Sequence, residues 1–443
     1  MTPPMPLDPN SRRRALRTLA SGLAGAGVLP ALGAVPDRRA AGAAGRPAWP
    51  PPPAARDDEE AFWAFVRAQY PLTRDRVYFN TGGLGPAPYP VLDAQARTAA
   101  DLQHVSETGH DRLEAARAPV AAFFGCAPDE LAFMRNATEA NSTVASGLKA
   151  LRRGDEVLFE SHAHPGGSIP WVSRAKQEGI RIRIFEPDAP TPDALLERIE
   201  RAITPRTRVI QVSHVTAPTG IRMPVERIAA LAKARNIWFH IDGAQSAGMF
   251  PVDVHALGCD SYGASCHKWM GAPHGTGVLY VRAGRFDDIA PTEVGAYSDA
   301  GLDLPDRLDY APSARRFEPG TRDAASVVGI AAAAAFLTEI GLARIQARGH
   351  GLARRAAAGL AAIGGVEVVS PSHAALATSI TTFRAARVPF AQLTASLLST
   401  HKLRCRQVAE QGLNAVRVST HLFTSEADVD RLIAAVAQTV REA

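Results

Sequence analysis

Lysine is nearly absent from this chain: five lysines (Lys149, Lys176, Lys233, Lys268 and Lys402) stand against 44 arginines in 443 residues. Arginine serves wherever a plain positive charge suffices. A lysine that persists is a candidate for chemistry that needs an amine able to lose its proton, which a guanidinium does not do. Cysteine is also scarce. Cys126, Cys259, Cys266 and Cys405 have neither the paired spacing of a metal site nor that of a disulfide framework, and they read as structural thiols. An excess of one charge is missing from most of the chain. Seven arginines and two aspartates in residues 1–50 account for the whole formal charge of +5, so residues 51–443 are neutral and offer no basic face to nucleic acid. Beyond the N-terminus no stretch is apolar for long enough to make a stable membrane span, and no internal repeat is evident. What remains is 46% hydrophobic and 21% charged residues, an ordinary globular composition in a chain long enough for two or three domains.

The N-terminal arginines form a pattern. Ser11-Arg12-Arg13-Arg14-Ala15-Leu16-Arg17 precedes a weakly apolar stretch over 18–35 rich in alanine, glycine and leucine. It resembles a twin-arginine signal, with Ala15 where phenylalanine is commonest and small-residue cleavage points near Leu32-Gly33-Ala34 and over 40–44. Gly22, Gly25, Gly27 and Pro30 weaken the run as a membrane helix. The resemblance implies a signal peptide over 1–45, handling by the Tat export machinery and a periplasmic or otherwise exported mature chain. A proline-rich linker over 46–57 follows.

Apolar spacing then predicts helices over 58–69, 90–109 and 111–124, and short strands over 130–134, 156–160, 180–185, 209–214, 238–241, 261–263 and 277–281. Helices over 193–203 and 225–234 lie between some of them. Short apolar strands alternating with helices indicate an α/β fold, a mainly parallel sheet covered on both faces. The alanine-rich run 323–364 reads as one long helical region broken near Gly341 and near Gly349–Gly351. Strands near 366–369 and 379–383 and helices near 390–398 and 426–441 make a second, α+β domain. The domains expected are 58–320 and 321–443.

The chemistry concentrates in His240-Ile241-Asp242-Gly243-Ala244-Gln245-Ser246-Ala247-Gly248 and, about twenty residues later, Ser265-Cys266-His267-Lys268-Trp269. Asp242 follows one apolar strand and Lys268 another, so both arrive at the sheet edge where α/β folds hold ligands. An aspartate there can keep a pyridine nitrogen protonated, and a lysine can hold an aldehyde as an imine. Together they fit pyridoxal 5'-phosphate.

These motifs resemble the class V aminotransferase family of fold-type I pyridoxal-phosphate enzymes, a group that includes cysteine desulfurases, kynureninases and isopenicillin N epimerase-like proteins. The similarity runs over 78–443. It implies a large domain with a mostly parallel seven-stranded sheet between helices, a smaller C-terminal α+β domain on which the N-terminal segment packs, and a homodimer. Asn136-Ala137-Thr138-Glu139-Ala140 opens a helix, and the resemblance places the cofactor phosphate on Ala137 and Thr138, with Ser265 and His267 as further ligands. Thr321, in Phe317-Glu318-Pro319-Gly320-Thr321, is expected to reach the phosphate of a partner subunit. The resemblance favours His164 over His162 as the ring stacked on the cofactor, and gives the ring nitrogen to Asp242 and the ring hydroxyl to Gln245. Ala217 stands where desulfurases have an asparagine, so Thr216 is expected to take over that contact. Arg417 is expected on the substrate α-carboxylate, and Asn80 in the loop on the substrate side. His162 and His164 have no third residue at metal-ligand spacing.

Lys268 is thus expected to hold the cofactor and then, once displaced by a substrate amine, to move the α-proton as general base, in an aminotransferase or an epimerase-like isomerase. The alternative within the family is a cysteine desulfurase or C–S lyase. A desulfurase needs a nucleophilic cysteine on a mobile loop, and the nearest, Cys405 in Leu403-Arg404-Cys405-Arg406, has little glycine around it. Arg404 and Arg406 favour a substrate with a second carboxylate. An alternative of another class is a non-catalytic exported binding protein that keeps the fold, against which the intact Lys268, Asp242, Gln245 and His267 argue.

Overall fold

Residues 48–51 and 58–443 are described in the computed structural model of the chain; the expected export signal lies outside them, as does most of the linker. One part of that linker is packed, because the Trp49 ring lies tilted against Phe336 and Phe65 with ring centroids 4.4 and 6.1 Å apart.

Helix α1 (Glu59–Ala68) begins where the Asp58 carboxylate accepts from the amides of Glu60 and Ala61, and it buries Phe62, Trp63 and Val66. Strand β1 (Val77–Tyr78), α2 (Tyr89–Val105) and α3 (His110–Phe124) follow. The chain then alternates through β2 (Leu131–Met134), α4 (Ala137–Gly147), β3 (Glu156–Glu160), α5 (Pro165–Glu178), β4 (Arg181–Phe185), α6 (Pro192–Ala202) and β5 (Thr207–Ser213). Helix α7 (Val225–Ala234), β6 (Trp238–Asp242), the short α8 (Val254–Leu257), β7 (Ser261–Ser265) and β8 (Gly277–Val281) complete this part. The seven strands lie in the order β2-β8-β7-β6-β5-β3-β4, and β8 alone runs against its neighbours. Every residue of β2, β3, β6, β7 and β8 is buried, which is why they read as short apolar runs. One core fills each face of the sheet.

A hairpin, β9 (Asp299–Asp303) and β10 (Arg307–Tyr310), leaves Leu302, Leu304 and Leu308 exposed. Helices α9 (Ala324–Ile340) and α10 (Leu342–Ala361) are bent by 78° at Gly341, whose φ of +92° suits glycine. No break occurs at Gly349–Gly351. Gly349 is there for proximity, since a Cβ would stand 2.4 Å from Ser379 Oγ. Although α9 begins beyond the expected boundary at residue 320, it packs on α2 and α3 in the first core.

Strands β11 (Val366–Val368) and β12 (Ile380–Ala385), α11 (Phe390–Ser399), β13 (Leu403–Arg404), β14 (Arg406–Val408), β15 (Ala415–Ser419) and α12 (Glu426–Arg441) follow. The sheet β11-β12-β15-β14 is antiparallel and carries the third core, built with Leu352, Leu360, Leu393, Leu432 and Phe79. Phe79 arrives there because β1 pairs in parallel with β13. No single helix among the described residues is long and apolar enough to cross a membrane.

Candidate active site

Strands β3, β5, β6 and β7 end at one edge of the sheet, and a cavity of about 260 Å³ opens there. Asp242, the last residue of β6, is 6% exposed; its Oδ1 accepts from the Ala244 amide at 3.0 Å and its Oδ2 from Asn141 Nδ2 at 2.8 Å. A chain of buried groups stands behind Asn141. The Trp238 indole donates to Ser261 Oγ (3.1 Å), Ser261 faces His240 Nδ1 (2.8 Å), and His240 Nε2 faces Asn141 Oδ1 (2.8 Å). The Asp242 carboxylate can only accept, so Asn141 turns its NH2 to Asp242 and its Oδ1 to His240; His240 therefore carries its proton on Nε2, and its Nδ1 accepts from the Ser261 hydroxyl. Burial pushes His240 down to about 3 and keeps it neutral.

Lys268 follows β7 in a loop clamped from the N-terminal segment. The Gly85 amide donates to His267 O at 2.8 Å, and a Cβ at Gly85 would lie 1.7 Å from Lys268 O. Burial pushes the Lys268 amine down to about 8; Asp242 pulls it upward, and Arg417 and Arg406 press it down further. Gln245 is held at both ends: its Oε1 accepts from the Trp269 indole and its Nε2 donates to Gly82 O, both at 2.8 Å.

At the start of α4 the Asn136 side chain accepts from Glu139 N, and the Ala137 amide donates to Ser265 Oγ at 3.0 Å. Ala137 and Ser265 line the cavity but engage each other, leaving the Thr138 amide at the open helix end. His267 donates from Nδ1 to Thr276 O at 2.8 Å, and burial lowers its pKa, so in the free site its other nitrogen is an acceptor. His164 lines the cavity and caps α5 by accepting from Gly166 N through Nδ1; burial first, then Lys268, lowers its pKa. His162 faces Thr219 and does not reach the cavity.

Arg417, on β15 and 1% exposed, donates to Ala217 O at 2.8 Å and to Asn80 Oδ1 at 3.1 Å. Asn80 therefore positions the arginine, while the glycines beside it, Gly82 and Gly83, line the cavity. Thr216 is a correction. It is fully buried in its own turn, where its hydroxyl accepts from Ile221 N and pairs with Thr219 Oγ1; Ala217, not Thr216, reaches the cavity. Thr321 is exposed and does not line the cavity of its own chain. Asn141, His240, Ser261 and Trp269 were not read from the sequence as site residues. A signal existed for His240, two residues before Asp242 on a strand and hence on the same face.

The groups that meet at the cavity match the needs of pyridoxal phosphate: an amine, a carboxylate for a ring nitrogen, an amide for a ring hydroxyl and a helix N-terminus for a phosphate. The walls leave room through glycine. A Cβ at Gly166 would lie 2.4 Å from Thr138 Oγ1, and one at Gly167 3.0 Å from Asp242 Oδ2. Asn141→Ala should weaken pyridoxal-phosphate affinity about tenfold, because it leaves His240 and Asp242 each short of a buried partner. Equilibrium binding measured by fluorescence checks this, with circular dichroism confirming the fold; unchanged affinity removes Asn141 from the site.

Comparison with known proteins agrees. The family described as Aminotransferase class-V matches residues 91–432. Isopenicillin N epimerase of Amycolatopsis lactamdurans is 31% identical over 388 residues, covering 84% of this chain and 98% of that protein. A cysteine desulfurase of Yersinia pseudotuberculosis is 30% identical over 391 residues, covering 83% and 96%. Among solved structures, the apo cysteine desulfurase of Thermococcus onnurineus superposes with a TM-score of 0.79 at 27% identity, covering 85% of this chain and 98% of that one. The chain belongs to the class-V aminotransferase family, and its cofactor is pyridoxal phosphate.

Proposed function

We propose that the chain acts at the α-carbon of an amino acid, as an aminotransferase or an epimerase-like isomerase. The observation that carries this reading is the amine of Lys268, pushed down to about 8 by burial, in one cavity with Asp242 and Arg417. When bound, pyridoxal phosphate supplies the electron sink for a carbanion. Asp242 would hold a proton at its ring nitrogen, Gln245 would take its ring hydroxyl, and Thr138, Ser265 and His267, the last protonated at its free nitrogen beside the anion, would hold its phosphate. The neutral His164 ring covers one face. Arg417 binds the substrate carboxylate, and Lys268 moves the α-proton at Nζ.

The names of the relatives favour a second reading, cysteine desulfurase or C–S lyase. A desulfurase that uses its own thiolate finds no support in Cys405: it is 1% exposed, burial pushes its thiol up to about 12, and no cysteine is among the described residues that line the cavity. Homodimer formation and twin-arginine export belong to the same proposal, since Thr321 stands exposed for a second subunit and the Arg12-Arg13 pair heads the chain.

The test is proton NMR of L- and D-amino acids in heavy water with the loaded enzyme. Exchange at the α-carbon without keto acid identifies isomerisation, keto acid identifies transamination, and sulfide from cysteine identifies the second reading. Amino-acid binding with no exchange by any of the panel overturns both and leaves a non-catalytic binding protein.

A further inference from the structure

We propose that the substrate carries a second carboxylate on its side chain, held by Arg406 while Arg417 holds the α-carboxylate; this rests on the reading of the cavity as a site acting at an α-carbon. Strands β14 and β15 place Arg406 and Arg417 directly opposite each other, and both side chains line the cavity. Residues so paired project to one face about 5 Å apart, where like charges repel unless anions lie against them. Neither guanidinium is fully engaged. Arg417 has a carbonyl and an amide oxygen as partners but no carboxylate, and its Nε is buried without a partner. Arg406 gives one arm to Glu410, while its Nη1 is buried without a partner.

Glu410 offsets one of the two charges. An excess positive charge and two incompletely used forks remain on the same wall. A fork matches a carboxylate in shape and charge, so two adjacent forks match two carboxylates separated by a few carbons. Arg404, two residues from Arg406, turns instead to the Cys405 carbonyl and does not line the cavity. The pattern selects an acidic amino acid of the aspartate to aminoadipate class.

The competing arrangement is a single α-carboxylate bridging both arginines, and binding separates the two. Calorimetric titration of the pyridoxal-phosphate-loaded enzyme with glutarate and with butyrate should show glutarate bound at least about tenfold more tightly. Arg406→Gln should erase that preference, and Arg406→Lys should keep part of it. Equal affinity for the two acids overturns the inference. So does an Arg406→Gln variant that weakens both acids alike, because one carboxylate would then bridge the pair. Neither readout depends on turnover, so a failure of proton exchange, which sinks the proposed reaction, is a separate result. Exchange equally fast with alanine and glutamate would spare the enzyme and overturn this specificity.

Discussion

Replacing Lys268 with alanine should lower α-proton exchange by about 10⁴-fold, since a positioned general base contributes on the order of 10²–10⁴ and the covalent hold on the cofactor is lost with it. Lys268→Arg should be as poor, because a guanidinium keeps its proton. Added methylamine should restore part of the exchange in Lys268→Ala by filling the space with a mobile amine. A Lys268→Ala variant that keeps a tenth of the wild-type rate would remove the lysine from the mechanism. The same burial has a signature in pH. The amine sits at about 8 in the fold against 10.5 for a free lysine. Capture of pyridoxal phosphate by the apoprotein should therefore accelerate as pH rises to about 8 and then level off. In stability the sign is unfavourable: below pH 8 the fold carries a desolvated ammonium at a cost of about 3 kcal/mol, which disappears as pH rises to 10.5 because the unfolded chain holds that proton longer. Lys268→Met should therefore stabilise the apoprotein at pH 7 in thermal unfolding and give much less gain at pH 11.

Glu318→Ala should destabilise the fold by about 3 kcal/mol. Arg117 and Glu318, 3% and 6% exposed, form a two-armed ion pair with both contacts at 2.9 Å, and Arg117 also donates to Leu131 O at 2.8 Å. Removing the glutamate leaves a buried guanidinium with only the half-exposed Glu114 as a carboxylate partner, and leaves the Phe133 amide without its acceptor. The loss should exceed that of Arg117→Leu/Glu318→Leu, in which no unpaired charge remains. Urea unfolding of the two variants decides it; equal stability would mean that the pair is not compensated in the way its geometry indicates. The same carboxylate ties the segment that leads into Gly320-Thr321 to α3 and β2.

The sheet was legible because most of its strands, β2, β3, β6, β7 and β8, are short buried runs, largely apolar. Helix α5 was not. Pro165, Gly166, Gly167 and Pro170 are poor helix formers and no helix was expected over them, yet Pro165 occupies the first turn, where a missing N–H costs nothing, and His164 caps the end. The two-residue pairing of β1 with β13 had no local signal either, because each strand is defined only by the other. At the site, the motifs located Lys268, Asp242, Gln245 and Arg417 at one cavity. They could not say where a short side chain turns: the Thr216 hydroxyl closes its own loop instead of facing the cavity. Nor could they reveal Asn141, whose partner His240 is a polar residue inside a strand that otherwise reads as core.

The clamp on the lysine loop is made by the two ends of the folded chain. Gly85 touches the Lys268 backbone, the Ser419 amide donates to Phe79 O at 2.8 Å, and Arg417 holds Asn80. A chain emerging from the ribosome has made Lys268 long before residues 403–419 exist to hold the 77–85 segment in place. Synthesis therefore delivers the reactive amine before the strands that fix the 77–85 segment against it, and the clamp closes only after residues 403–419 have been made.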